Sequence, residues 1–159
     1  LLEVNYLGAV YVTRAALPHL HRGARIANVS SLAGALAIYG YAAYAPSKFA
    51  LTALSEVLRQ ELRPRGIAVS VLLPPDTDTP QLAEENREKP AETRALAGNV
   101  PVLTAEAVAE ALLDGLARGR AVIVPGWRAR LTLWAARHAP GLVRRIVDRE
   151  VARAGRAAS

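Results

Sequence analysis

The 159-residue chain contains no cysteine and no methionine, and its aromatic content is 5%, with a single phenylalanine. The missing cysteine excludes disulfides, thiolate metal sites and a thiol nucleophile. The missing methionine, together with Leu1 falling inside a helical pattern, reads as one stretch of a longer chain. Lysine is almost absent: Lys48 and Lys89 stand against 18 arginines. No basic segment, apolar core and small-residue cleavage site follow one another, so no signal peptide is expected and the sequence reads as cytoplasmic. Hydrophobic residues make up 52% of the chain, enough for a globular core, although 32 of them are alanines that bury little area each. The 22 residues from 26 to 47 carry no charge. That length could cross a bilayer, but Asn28, Ser30, Ser31, Gly34, Gly40, Pro46 and Ser47 interrupt it, and a strand, a loop and a helix account for the run.

The net charge of +6 is unevenly placed. Residues 1–117 carry 10 basic and 12 acidic side chains, whereas residues 118–159 carry 10 arginines and 2 acids. The basic balance therefore belongs to the tail, where it reads either as a solvated helix face or as an attraction for an anionic surface.

Hydrophobic spacing predicts a helix over 2–22, bent near Pro18, and a second over 42–63 with Leu51, Leu54, Leu58 and Leu62 on one stripe. Pro64 and Gly66 end the second helix. Short runs at 24–30, 67–73 and 121–125 predict three strands, with a loop over 32–41. Residues 74–103 are polar and proline-rich, which predicts a long excursion with short helices. Thr104 is a candidate N-cap for a helix over 105–117, and two more helices are expected over 127–139 and 142–154. Strands alternating with such helices predict an α/β fold around a parallel sheet, about three strands with flanking helices. The division expected is a catalytic unit at 1–125 and a basic amphipathic helical tail at 126–159.

Chemistry concentrates in Tyr44-Ala-Pro-Ser-Lys48. On a helix Tyr44 and Lys48 share a face one turn apart. A phenol near its ordinary pKa of ~10 ionises poorly at neutral pH, and a neighbouring ammonium favours the phenolate. The pair suits general acid–base work on an alcohol or a carbonyl; alone it is equally a surface pair. Ser31 ends an expected strand, where side chains reach the ligand crevice of α/β sheets, and its hydroxyl could hold a substrate oxygen. Asn5 is a poor residue for a helix interior.

Taken in order, Asn5 in VNYLG, the run Asn28-Val-Ser-Ser31-Leu-Ala-Gly34, Tyr44-xxx-Lys48 and Pro74-Pro-Asp-Thr-Asp-Thr79 resemble the second half of a short-chain dehydrogenase/reductase, across roughly residues 1–125. The resemblance implies the C-terminal part of a Rossmann-type doubly wound sheet and a nicotinamide cofactor. It implies Tyr44 as catalytic acid/base, Ser31 as the group orienting the carbonyl, and Lys48 lowering the pKa of Tyr44 while holding the nicotinamide ribose. It further implies Asn5 placing a water that relays protons to Lys48, and Pro74, Thr77 and Thr79 contacting the nicotinamide. The family's usual glycine after the first proline is Pro75 here, which removes a backbone donor. The family's TGxxxGxG phosphate loop does not occur in these residues. A chain of this half alone is expected to lack the dinucleotide grip and to expose a sheet edge.

Residues 74–96, PPDTDTPQLAEENREKPAETRAL, are similar to those members of the family that reduce the ketone of a long-chain sphingoid base with NADPH. A lipid-like ketone is thus the substrate implied, and NADPH the cofactor. The same chemistry on another hydrophobic carbonyl or alcohol, and a non-catalytic membrane-surface or interaction module, remain as alternatives. In the tail, Trp127, Leu131, Trp134 and His138 fall on one helical stripe among arginines, and Leu142, Val143, Ile146, Val147 and Val151 repeat it. Such helices lie on anionic membranes or pack on a substrate lid or second subunit, so peripheral membrane association through 126–159 and self-association are expectations. His138 has no second ligand at a useful spacing, so no metal site is expected. No recognised nucleic-acid motif accompanies the arginines, and nucleic acid is not an expected partner.

Overall fold

The computed structural model describes residues 1–158. Strand β2 (Ala68–Leu72) is the centre of a parallel sheet ordered β1-β2-β5, with β1 at Arg25–Val29 and β5 at Val122–Ile123. The pairing is in register from Arg25↔Ala68 to Val29↔Leu72 on one side and Val71↔Val122 to Leu72↔Ile123 on the other. Its run of β-branched residues suits a strand covered on both faces, and Val69, Ser70, Val71 and Leu72 are all buried. Parallel pairing requires each return to pass through a helix. Helix α2 (Tyr44–Leu62) follows β1 and α5 (Ala105–Ala117) precedes β5. The expected α/β fold with three parallel strands is therefore present, although the last strand is only two residues long. The outer side of β1 pairs with no strand among the described residues, and Val29 there is 51% exposed.

Helix α2 (Tyr44–Leu62) starts two residues later than the spacing suggested and lays Leu51, Leu58 and Leu62 inward. Leu58 and Leu62 form a core with Ile67 and Val69, packed on by Leu17, Leu20, Ala24, Ile26 and Leu54. Burying each such side chain contributes about 1.5–3 kcal/mol. The helix runs out through a tight turn at Arg63–Arg65 and stops at Gly66, whose φ of 71° is left-handed.

Three departures come from backbone chemistry. The first helix opens as a π-helical turn, Glu3–Leu7, continues as α1 (Gly8–Ala16) and tightens at Leu17–His19 around Pro18. The long excursion holds α3 (Pro80–Glu88) and α4 (Ala91–Ala97), and it begins and ends in a two-residue parallel bridge between β3 (Thr77–Asp78) and β4 (Leu103–Thr104). No hydrophobic alternation announces strands that short. Thr79 caps α3 and Thr104 caps α5, each accepting a backbone N–H three residues on. Finally, the last helix begins at Pro140 rather than after it, because a proline's missing N–H costs nothing in the first turn.

Helices α6 (Trp127–His138) and α7 (Pro140–Ala158) form a hairpin. The half-buried residues of α7 include Val143, Val147, Glu150, Val151, Ala154 and Gly155, and α7 packs against α4. At Gly155 a Cβ would stand 3.3 Å from the carboxylate of Glu92, whose side chain reaches across from α4. Trp127, Leu131, Trp134, Leu142 and Ile146 of the hairpin are exposed. No described helix is long and apolar enough to cross a membrane.

Candidate active site

The carboxyl ends of β1 and β2 meet where Leu32 N donates to the Pro74 carbonyl at 2.9 Å. This is the end of an α/β sheet at which ligands bind. Ser31 begins a tight turn, Leu32–Gly34, and its Oγ accepts from Ala33 N at 3.1 Å. The turn is seated on α2 because residue 34 has no side chain. A Cβ there would lie 2.3 Å from Ser30 Oγ and 2.8 Å from both the Lys48 carbonyl and Thr52 Oγ1. Ser30 Oγ itself donates to the Lys48 carbonyl at 3.0 Å, locking strand end to helix.

Tyr44 is the first residue of α2, with the Ser31 hydroxyl near enough to its phenol to favour the phenolate. One turn on, Lys48 Nζ lies 5.7 Å from the centroid of the Tyr44 ring and donates to the Val29 carbonyl at 3.1 Å. Asn5 sits in the π-helical turn, and its Nδ2 donates to Ser47 Oγ at 3.0 Å. Ser47, fully buried, donates in turn to the Tyr44 carbonyl at 2.7 Å. The widened turn thus ties the first helix to the start of α2, a use consistent with π-turns at functional sites.

Two clefts adjoin these groups. One, of about 320 Å³, is lined by Asn5, Tyr44, Lys48, Gln81 and Glu85. The other, of about 360 Å³, opens at Ser31 and Pro74 and runs between α4 and the α6–α7 hairpin. Tyr41 lines both, and its ring stands edge-on to that of Tyr44 at 5.3 Å. Of the residues expected to contact a nicotinamide, Tyr44 and Lys48 share the first cleft and Pro74 lines the second. Thr77 and Thr79 line neither: Thr77 Oγ1 donates to the Pro75 carbonyl at 3.0 Å, and Thr79 Oγ1 is occupied as the cap of α3. Pro75 has no backbone N–H to donate, and its carbonyl is taken by Thr77.

The electrostatics differ from the expectation for Tyr44. Burial, the largest influence, raises its pKa above the ordinary phenol value, and the carboxylates of Glu85 and Asp76 raise it further; the Ser31 hydroxyl acts the other way. The expected lowering by Lys48 does not appear among the influences on Tyr44, which burial dominates. Burial also lowers the pKa of Lys48. The carboxylates belong to a network the sequence did not announce. Lys89, whose side chain is 1% exposed, pairs with Asp76 at 2.9 Å and Glu85 at 3.4 Å. Tyr41 donates its hydroxyl to Glu85, and the phenol is pushed far up, first by burial and then by that carboxylate. One signal was available in the sequence: Lys89 is one of two lysines in a chain that otherwise uses arginine. On its other side, the buried Thr93 of α4 donates to the Tyr39 carbonyl at 2.8 Å, holding the 39–41 loop.

A sheet of this order, with a tyrosine and lysine one turn apart at the head of a helix and a serine at the neighbouring strand end, defines a class. The chain belongs to the short chain dehydrogenase family, whose profile matches residues 1–90. Among individual relatives, it is 47% identical over 121 residues to a 3-dehydrosphinganine reductase of Danio rerio, covering 75% of this chain. It is 44% identical over 121 residues to a 3-ketodihydrosphingosine reductase of Mus musculus, with the same coverage. The chain spans 36% of the length of each of these relatives. A short-chain dehydrogenase from Burkholderia cenocepacia, solved in complex with NADP, superposes with a TM-score of 0.77 at 24% identity, covering 92% of this chain and 56% of that one. One from Streptomyces avermitilis superposes with a TM-score of 0.69 at 26% identity, covering 96% and 60%.

Proposed function

We propose that this chain carries the catalytic half of an enzyme that reduces the ketone of a sphingoid-type lipid to an alcohol with NADPH. The observation supporting the reaction is the placement of the Ser31 hydroxyl at the strand end near Tyr44, with Lys48 one turn along the same helix, at a wall adjoining both clefts. The donor set of Tyr44 and Lys48 in the smaller cleft fits the nicotinamide–ribose end of a dinucleotide, whose diol accepts and donates hydrogen bonds. When bound, that group supplies the hydride. This chain's residues supply the rest. Ser31 holds the carbonyl oxygen. As the carbon receives hydride and the C=O π bond breaks, the oxygen becomes an alkoxide and takes the Tyr44 proton, leaving a phenolate. Burial and two nearby carboxylates make Tyr44 a reluctant phenolate, which favours its return to the acid form. Lys48 and Asn5 border the same cleft and serve that return. The lipid substrate is supported by the names of the relatives and by the apolar cleft beginning at Ser31. NADPH is supported by the NADP held by the Burkholderia cenocepacia protein.

The test is Tyr44→Phe in the complete protein. Reduction of 3-ketodihydrosphingosine should fall by at least about a thousandfold, in keeping with loss of a positioned proton donor, with unfolding unchanged. Turnover within tenfold of the parent rejects the mechanism, and a preference for unrelated ketones rejects the substrate. The exposed Trp127, Trp134 and Leu142 beside the tail arginines support peripheral contact with anionic lipid. Sedimentation with phosphatidylserine vesicles should fall when Trp127 and Trp134 are both replaced by alanine; equal sedimentation rejects the membrane contact.

A further inference from the structure

The second cleft has a property that the reaction alone does not demand: its far wall is built from the tail. Val143, Ile146 and Val147 of α7 and Leu131 and Ala135 of α6 line it opposite Ser31 and Leu36. The wall is fixed, because α7 is packed on α4 and Gly155 leaves room for the Glu92 side chain. Two carboxylates are the only charges in the lining: Asp76, beside the Ser31 end of the chain of contacts, and Glu150, one turn beyond Ile146 on α7 and paired with Arg153 at 3.3 Å. An apolar cavity of about 150 Å³ holds the six carbons of benzene. At that scale a cavity of about 360 Å³ holds about 14 carbons. A mostly apolar cleft of that size, lined at Ser31 by the hydroxyl assigned to the ketone and open to solvent where Leu131 and Ile146 are about half exposed, has room for a single unbranched hydrocarbon chain.

We infer that the α6–α7 hairpin is a chain-length ruler: Ala135 and Val147 set how many carbons beyond the ketone the site accepts. The inference rests on the ketone-reductase reading and adds to it the residues that measure the substrate. Ala135 is the smallest side chain that the hairpin presents, so each carbon added there removes about one carbon of substrate, and shortening Val147 returns room.

The experiment uses the complete protein with NADPH and a series of unbranched long-chain ketones with 6 to 20 carbons beyond the carbonyl. For the parent, kcat/KM should rise with length and level off near 14 carbons. Ala135→Leu should move the optimum down by about three carbons, and Ala135→Phe by more, with at least a tenfold loss on the longest member. Val147→Ala should move it up. An optimum that stays in place in all three variants overturns the ruler. Binding of saturated alcohols of 8 to 18 carbons, followed by calorimetry without NADPH, separates the two readings. If no ketone is reduced yet the alcohols bind with the same shifted length dependence, the ketone-reductase reading fails and the ruler stands. If ketones are reduced and the length dependence is identical in parent and variants, only the ruler fails. Thermal unfolding of Ala135→Leu, the milder change, confirms that a lost long-chain signal is not lost folding.

Discussion

Lys89 offers a sharp test of how the site is held together, because the three charges of its cluster are unequally buried. Its side chain is 1% exposed, whereas those of Asp76 and Glu85 are 30% and 37% exposed. Removing both carboxylates, as Asp76→Ala with Glu85→Ala, strands an ammonium that water cannot reach, and such a loss costs about 3–5 kcal/mol. Removing the lysine, as Lys89→Met, leaves two carboxylates that solvent partly reaches. Their cost lies between the near-zero value of surface pairs and the buried figure, at about 1–2 kcal/mol. The triple variant leaves no charge unpaired and should recover most of the carboxylate loss, since apolar replacements of a buried ion cluster are often close to neutral. The assay is urea unfolding of the complete protein followed by circular dichroism at neutral pH. The reasoning fails if Lys89→Met costs as much as the double carboxylate variant, or if the triple variant is the least stable of the three.

Three further outcomes follow from the same geometry. Glu85→Gln removes a carboxylate that raises Tyr44, so the pKa of Tyr44 falls and, in the alcohol-oxidation direction, the alkaline rise in rate moves to lower pH; Glu84→Gln, at an exposed pair with Arg87, should leave the profile in place. A shift to higher pH contradicts the assigned electrostatics. Tyr41 and Tyr44 both have folded-state pKa values above that of a free phenol. Their protonated forms therefore stabilise the fold below pH ~10, and that contribution is lost as pH rises through the folded values. Absorbance titration at alkaline pH should show the late-ionising fraction shrink in Tyr41→Phe. Gly34→Ala drives a Cβ into Ser30 Oγ and the Lys48 carbonyl; overpacking of this kind costs about 1–3 kcal/mol, and displacement of the Ser31 turn should lower kcat more than it raises KM. Unchanged kinetics in that variant would remove Gly34 from the account of how Ser31 is positioned.

Much of the architecture was legible from local chemistry. The β-branched run at 67–73 and the leucine stripe of 51–62 each depend only on neighbours in sequence, and the structure places β2 and α2 close to where they were expected. Thr104 was readable as a cap for the same reason, since a cap bonds a backbone group three residues away. Asn5, Ser31, Tyr44 and Lys48 stood out as residue types carrying chemistry at particular spacings. Their mutual arrangement did not. The Lys48 ammonium turns to the Val29 carbonyl, nineteen residues back in the chain, and the charge acting on Tyr44 comes from Asp76 and Glu85. Thr77 and Thr79 are taken up by their own turn, which the backbone path decides.

The sequence determined the helices and the central strand, because propensity, periodicity and capping act within a few residues. Only the folded chain decided that Lys89 would be buried between two carboxylates, that Tyr41 would stand between two clefts, and that the tail would wall one of them. Burial and long-range electrostatics depend on what surrounds a group in space. The segments concerned meet across more than a hundred intervening residues, as where Ser31 and Val147 line one cavity.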